Sequence, residues 1–289
     1  MASRSPIIAP AALFQRLGDP ALRVVDVRWT LGSPGTGRRA YETGHIPGAI
    51  FLDVDTDLVA ADGPGRHPLP SPADFRARLE RAGIGTEHEV VAYDDVGGWV
   101  AARLWWMLDD LGHRRVAVLD GGYPAWVAEG FPVTTDVPTL PPARLDLSNT
   151  WTKVIDRAGV MERLGQIVLL DARGAPRYRG EIEPIDPVPG HIPTARNAPT
   201  DGNLGPDGRL LGASELAARF RALEADGSGG PVVTSCGSGV SACFNSLAMR
   251  IAGLPDPLLY PGSYSDWSRS GVPIAVGPEP GAPPDSGDR

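Results

Sequence analysis

A half-length internal repeat is the strongest constraint on how this chain folds. Val24-Val25-Asp26-Val27-Arg28 reappears as Leu169-Leu170-Asp171-Ala172-Arg173, and Gly44-His45-Ile46-Pro47-Gly48-Ala49 as Gly190-His191-Ile192-Pro193-Thr194-Ala195. The apolar run Val90-Val91-Ala92-Tyr93 answers Val232-Val233-Thr234-Ser235, and the stretch from Gly121 to Pro132 answers that from Gly262 to Pro273. Four matches in one order, at an offset of about 145 residues, mean two copies of one domain rather than a solenoid. Within each copy short apolar runs alternate with amphipathic stretches, the order expected of parallel strands joined by crossover helices. The predicted fold class is therefore α/β: a tandem of two domains, each a mainly parallel sheet flanked by helices. The domains are expected at 1–134 and 151–276, with residues 135–150, rich in Pro and Thr and without a long period, as the linker. From Gly277 onward the sequence GPEPGAPPDSGDR predicts a disordered tail.

Composition narrows the function. With a formal net charge of -8 and no dense Lys/Arg block, the chain is a poor partner for nucleic acid or an anionic membrane. No apolar run approaches the roughly 18 residues a membrane span needs, and Met1 to Pro10 lacks the pattern of a secretory leader. A cytoplasmic protein is expected. The two cysteines, Cys236 and Cys243, open a predicted helix and sit inside it, a poor arrangement for a disulfide. No Cys-x-x-Cys pair or His-x-x-x-His spacing suggests a metal site or redox dithiol.

Chemistry concentrates at Cys236. It stands where the buried strand Pro231 to Ser235 ends, and Val240, Cys243, Phe244, Leu247, Ala248 and Ile251 then mark a helix by their spacing. Arg250 suits its last turn, and Gly253 its stop. Gly237 and Gly239 let the intervening loop turn its backbone N–H groups toward one point, where they and the helix N-terminus favour an anion. A thiol there is set up as a nucleophile; the alternative is an inert buried cysteine, which is how Cys243, on the apolar stripe of the helix, is read.

Three other strand-turn-helix loops fail on particular residues. A cysteine phosphatase needs arginine where Ala242 stands; a P-loop needs a terminal Gly-Lys-Ser/Thr; and the Gly-x-Gly-x-x-Ala match to dinucleotide sites lacks the acid at the end of the next strand.

The loop CGSGVSA resembles the active-site loop of the two-domain rhodanese-like sulfurtransferases, and is more similar to mercaptopyruvate sulfurtransferases than to thiosulfate rhodaneses. GHIPGA, GHIPTA, LWWML at Leu104 to Leu108, VLDGGYPAW at Val118 to Trp126 and LYPGSYSDW at Leu259 to Trp267 extend the resemblance over about residues 5–275. It implies two rhodanese-like domains with one active site in the cleft between them. Sulfane sulfur would pass from 3-mercaptopyruvate or thiosulfate, through a Cys236 persulfide, to a thiophilic acceptor such as cyanide or a thiol. The first copy, with Asp94 in place of the cysteine, would be catalytically silent.

The resemblance also assigns roles at the site. Ser238, with Asp55 and His67 facing the loop from the first domain, would supply a proton; read without it, Asp55 is an ordinary loop or capping carboxylate and His67 an exposed loop histidine. Arg177 would bind the donor's carboxylate, with Arg179 as a second candidate that could instead pair with Glu181 or Glu183. The backbone of Gly237, Gly239, Val240 and Ser241 would hold the sulfur. No metal and no organic cofactor is implied, and a thiol reductant protein such as thioredoxin is a candidate partner. One departure stands out: the compared mercaptopyruvate enzymes carry a second arginine where this chain has Asp186. A different class of function is a persulfide carrier or thiol sensor serving a protein partner without turning over small donors. His45 and His191, present in both copies, are read as structural, and Trp105-Trp106 as packing.

Overall fold

The computed structural model describes residues 5–284. Two compact units emerge, each holding one copy of the repeat. The first takes the chain up to Ala61, Pro70–Thr152 and Pro206–Leu210; the second takes Asp62–Leu69, Lys153–Gly205 and the chain from Leu211.

The first unit contains strands β1 (Ile7–Ile8), β2 (Leu22–Asp26), β3 (Ile50–Phe51), β4 (Glu89–Tyr93) and β5 (Val116–Leu119), all parallel, in the order β1-β5-β4-β2-β3. Four strands form the second unit: β6 (Val168–Asp171), β7 (Arg196–Asn197), β8 (Val232–Ser235) and β9 (Leu258–Leu259), parallel in the order β7-β6-β8-β9. Dropping β1, the two orders are identical, as the repeat predicts. Helices cover both faces, so central strands are apolar without alternation. On β6 and β8, Leu169 and Val233 pack with Tyr264 and Trp267 on one face, while Val168, Leu170 and Val232 pack with Phe220 and Met249 on the other.

The repeated motifs do the same work twice. Arg28 is tied to Asp26 and donates to Gly44 O at 2.7 Å; Arg173 is tied to Asp171 and donates to Gly190 O at 2.7 Å. His45 stacks on Tyr41 and His191 on Tyr178, each ring bonding its partner's backbone carbonyl at 2.8 Å. Both histidines are wholly buried away from any chemistry, consistent with a structural role. Trp105 and Trp106 are buried, and Trp106 stacks on Trp151.

Three boundaries differ from expectation. Residues 62–69, expected in the first domain, belong to the second unit, held there by hydrogen bonds from Arg66 and His67 described below. The expected linker is bound to the first unit: Leu145 is buried, its N–H donates to Glu80, and Ala143 N–H donates to Glu80 O. Periodicity reports regular structure only, and these bonds need none. The first part of the expected disordered tail is likewise engaged. Gly277 N–H donates to Arg179 O, Thr194 N–H to Pro280 O, and the His191 ring bonds Glu279 O. The rest of that tail, 285–289, lies outside the described residues.

Candidate active site

Strand β8 ends at Ser235, and Cys236 follows as the first residue of the loop that leads to the helix Ala242–Ile251. The thiol is buried, with 2 % of the residue exposed. Two backbone donors converge on it: Gly239 N–H at 3.0 Å and Ser238 N–H at 3.4 Å from Sγ. This geometry needs Gly239, whose φ is +78° and where an added Cβ would lie 2.5 Å from Pro261 O. The loop is braced from behind. Tyr264 and Ser265 N–H donate to the carbonyls of Cys236 and Gly237, and Ser263 Oγ accepts from Cys236 N–H at 3.1 Å. The helix starts two residues later than its apolar spacing suggests, at Ala242, because Gly239 to Ser241 are spent on the turn. Gly253, with φ +69°, follows its end as expected. Cys243 is wholly buried on that helix, its thiol directed at Gly239 O at 3.4 Å, and neither cysteine forms a disulfide.

Ser238 turns its hydroxyl to His67 Nδ1 at 2.6 Å, and both residues are buried. Its partner is therefore neither an exposed histidine nor a residue of the first unit. Arg66 beside it donates its N–H to Ser265 Oγ at 3.0 Å, which fixes the segment against the second unit. Asp55 belongs to the first unit, exposed in the first turn of the short helix Val54–Asp57; its N–H is capped by Asp53.

Two guanidiniums lie over Gly237, the residue next to the thiol. A Cβ added there would meet Arg66 Nη2 at 2.9 Å and Arg177 Nη1 at 3.5 Å, so glycine leaves open the space between them. Arg177 is carried by the short helix Ala175–Tyr178, entered through Gly174 with Pro176 in its first turn. Glu183 holds it from behind, through Nε at 3.2 Å and Nη2 at 2.7 Å. Burial pushes the Glu183 carboxyl up, yet Arg177 and the N–H groups of Asp186 and Ile185 outweigh it and hold the group below its ordinary range. Asp186 completes the frame: it accepts from Arg177 Nη2 at 3.2 Å, from Arg269 Nη1 at 3.1 Å and from Arg66 Nη1.

Arg179 is the expected ligand that the structure does not bring to this place. Two residues further along a helical turn, it faces away and forms a two-point pair with Glu181. Arg66 is the residue that the sequence reading missed. Its one signal was adjacency to His67, since the stretch Gly63 to Pro70 has no period from which a direction could be read.

The first unit contains the same loop with different contents. At the position of Cys236, Asp94 is wholly buried and its carboxylate accepts four backbone N–H bonds, from Val96, Gly98, Val100 and Ala101, at 2.7–3.0 Å. The loop therefore turns four backbone donors onto one carboxyl group; burial pushes that group up, and the N–H bonds oppose the push. Among the described residues, no helix is long and apolar enough to cross a membrane.

Comparison with known proteins agrees with this geometry. The Rhodanese-like domain family matches residues 9–129 and 157–270. A probable 3-mercaptopyruvate sulfurtransferase of Pseudomonas aeruginosa is 44% identical over 95% of this chain and 99% of its own. A thiosulfate sulfurtransferase of Rattus norvegicus is 37% identical over 88% of this chain and 87% of its own. Among solved structures, a 3-mercaptopyruvate sulfurtransferase from Leishmania major superposes with a TM-score of 0.79 at 33% identity, covering 91% of this chain and 74% of that one. With two matched domains, a thiol on which backbone N–H groups converge and relatives of this kind, the chain belongs to the rhodanese-like family and is a two-domain sulfurtransferase.

Proposed function

We propose that sulfane sulfur is carried from a small anionic donor, 3-mercaptopyruvate or thiosulfate, to a thiophilic acceptor through a persulfide on Cys236. The observation that carries this reading is the convergence of Ser238 and Gly239 N–H on Sγ in a loop whose counterpart holds a carboxylate. Counted in bonds from Cα, the outer sulfur of a persulfide stands where an Asp oxygen stands. The helix that follows begins seven residues beyond Asp94 but six beyond Cys236, so the last two donors to Asp94, Val100 and Ala101 N–H, correspond to Ser241 and Ala242 in the second loop. The outer sulfur is thus stabilised where it forms.

Thiolate attack on the outer sulfur of thiosulfate forms one S–S bond and breaks another, the electron pair leaving with sulfite. With mercaptopyruvate a C–S bond breaks instead, and its pair stays on the pyruvate enolate, whose carbon takes a proton equivalent to the one lost from the donor's thiol. Ser238 and His67, paired at 2.6 Å, are the groups to move that proton. Asp55 keeps its part from the resemblance alone. Arg66 and Arg177 hold the donor's anionic end beside Gly237, each with a nitrogen turned to the gap. An acceptor such as cyanide or a thiol then removes the outer sulfur and restores the thiolate, giving ping-pong kinetics. A thioredoxin-like reductant and a cytoplasmic setting suit such an acceptor and two cysteines that form no disulfide.

Steady-state thiocyanate formation from cyanide with each donor tests this. Cys236→Ser is expected to lose turnover by roughly a thousandfold or more, while Cys243→Ser retains it. Turnover surviving in the first variant would overturn the assignment. Arg66→Ala and Arg177→Ala are each expected to raise donor KM by about tenfold.

A further inference from the structure

We propose that Asp186 sets the charge of the donor this protein prefers: it holds Arg66 and Arg177 as a clamp for a singly charged carboxylate and opposes doubly charged donors. The inference rests on the sulfur-transfer reading and names the substrate class of the same site.

Four observations carry it. The Asp186 side chain has no solvent exposure, and its two oxygens accept from three guanidiniums: Arg66 and Arg269 on Oδ1, Arg177 on Oδ2. Such a carboxylate orients both members of the clamp at once. Nearest to Gly237 stand Arg66 Nη2 and Arg177 Nη1, neither of which bonds Asp186. Finally, the charges nearly cancel. Against Arg66, Arg177 and Arg269 stand Asp186 and Glu183, and Arg173, which also reaches Glu183, is neutralised by Asp171. A single excess positive charge is left beside the thiol.

Coulomb energy scales with the donor's charge, so a fixed buried carboxylate penalises a dianion such as thiosulfate twice as much as the monoanion mercaptopyruvate. Arginine geometry alone would not make this distinction, because either anion can take two guanidinium hydrogen bonds. Selectivity therefore comes from the repulsive element built behind the clamp. Asp186 is a positioning and specificity-determining residue that acts through the arginines.

The test is the ratio of kcat/KM for thiosulfate to that for mercaptopyruvate, measured in wild type, Asp186→Asn and Arg269→Gln at low and moderate ionic strength. Asp186→Asn keeps the shape and removes one negative charge. It is expected to move the ratio roughly tenfold toward thiosulfate, mainly through the thiosulfate KM. Arg269→Gln removes a positive charge behind the same carboxylate and is expected to move the ratio the other way, by about threefold. Opposite shifts separate charge from mere disruption, which would lower both donors together in both variants. An unmoved ratio, or shifts of the same sign, overturns the inference while leaving sulfur transfer intact. If wild-type protein turns over neither donor, the sulfur-transfer reading fails and this inference with it. Should Asp186→Asn not fold, the sign of the Arg269→Gln shift decides alone.

Discussion

The loops at Asp94 and Cys236 are one backbone device filled in two ways. In the first unit the cradle is satisfied permanently by its own carboxylate, which takes four N–H bonds and is shut from solvent. The second unit has a thiol that takes two, at 3.0 and 3.4 Å, and stops a bond short of the deeper donors. One loop thus spends its donors on its own carboxylate, while in the proposed mechanism the other keeps them for a transient anion. The side chain at the first position of the loop is expected to have opposite effects on folding and on chemistry.

Alanine at the two positions should give crossed results. Asp94→Ala strands buried N–H donors and is expected to cost about 3 kcal/mol or more, read by urea unfolding, while turnover per folded molecule persists. Cys236→Ala is expected to cost only about 1 kcal/mol and to abolish turnover. Equal stability losses would mean that the two loops are not the same device.

Gly239→Ala sharpens the geometry. Its φ of +78° and the approach to Pro261 O would shift the loop, and a drop of roughly tenfold in kcat/KM is expected with both donors, alongside a stability loss of about 1–2 kcal/mol. Unchanged kinetics would show that the N–H convergence is not needed.

The smallest contrast lies behind the loops. Gly122 in the first unit has φ +58°, and its counterpart Ser263 accepts a similar φ of +50° although it carries a side chain. That hydroxyl accepts from Cys236 N–H and donates to Tyr260 O at 2.8 Å. Ser263→Gly removes both the backbone strain and the bond, each worth about 1 kcal/mol. Stability should therefore change little, while kcat falls severalfold. A gain in stability with no loss of rate would make the serine incidental.

These contrasts also mark what could be read from the sequence. The two parallel sheets and the strand-turn-helix loop that carries Cys236 were legible, because strand ends, helix spacing and glycine positions are local signals. Arg177 was legible only through the family resemblance, and its carrying helix is a single turn. Arg66 was not, since its role depends on Ser265 and Asp186, well over a hundred residues away in the chain. Asp186 misled: compared position by position it stood for a lost arginine, whereas in the folded chain it holds two arginines beside Gly237. For Arg179 the alternative reading held, a pair with Glu181, although spacing along the sequence does not tell on which side of a four-residue helix a guanidinium leaves.

The persulfide is the claim on which the rest depends. Donor is added without acceptor, the peptide containing Cys236 is weighed by mass spectrometry, and cyanide is then added and the discharge followed against time. The account predicts one added sulfur on Cys236 and none on Cys243, lost to cyanide at least as fast as steady-state turnover. Sulfur on Cys243, no added sulfur at all, or discharge slower than turnover would contradict it.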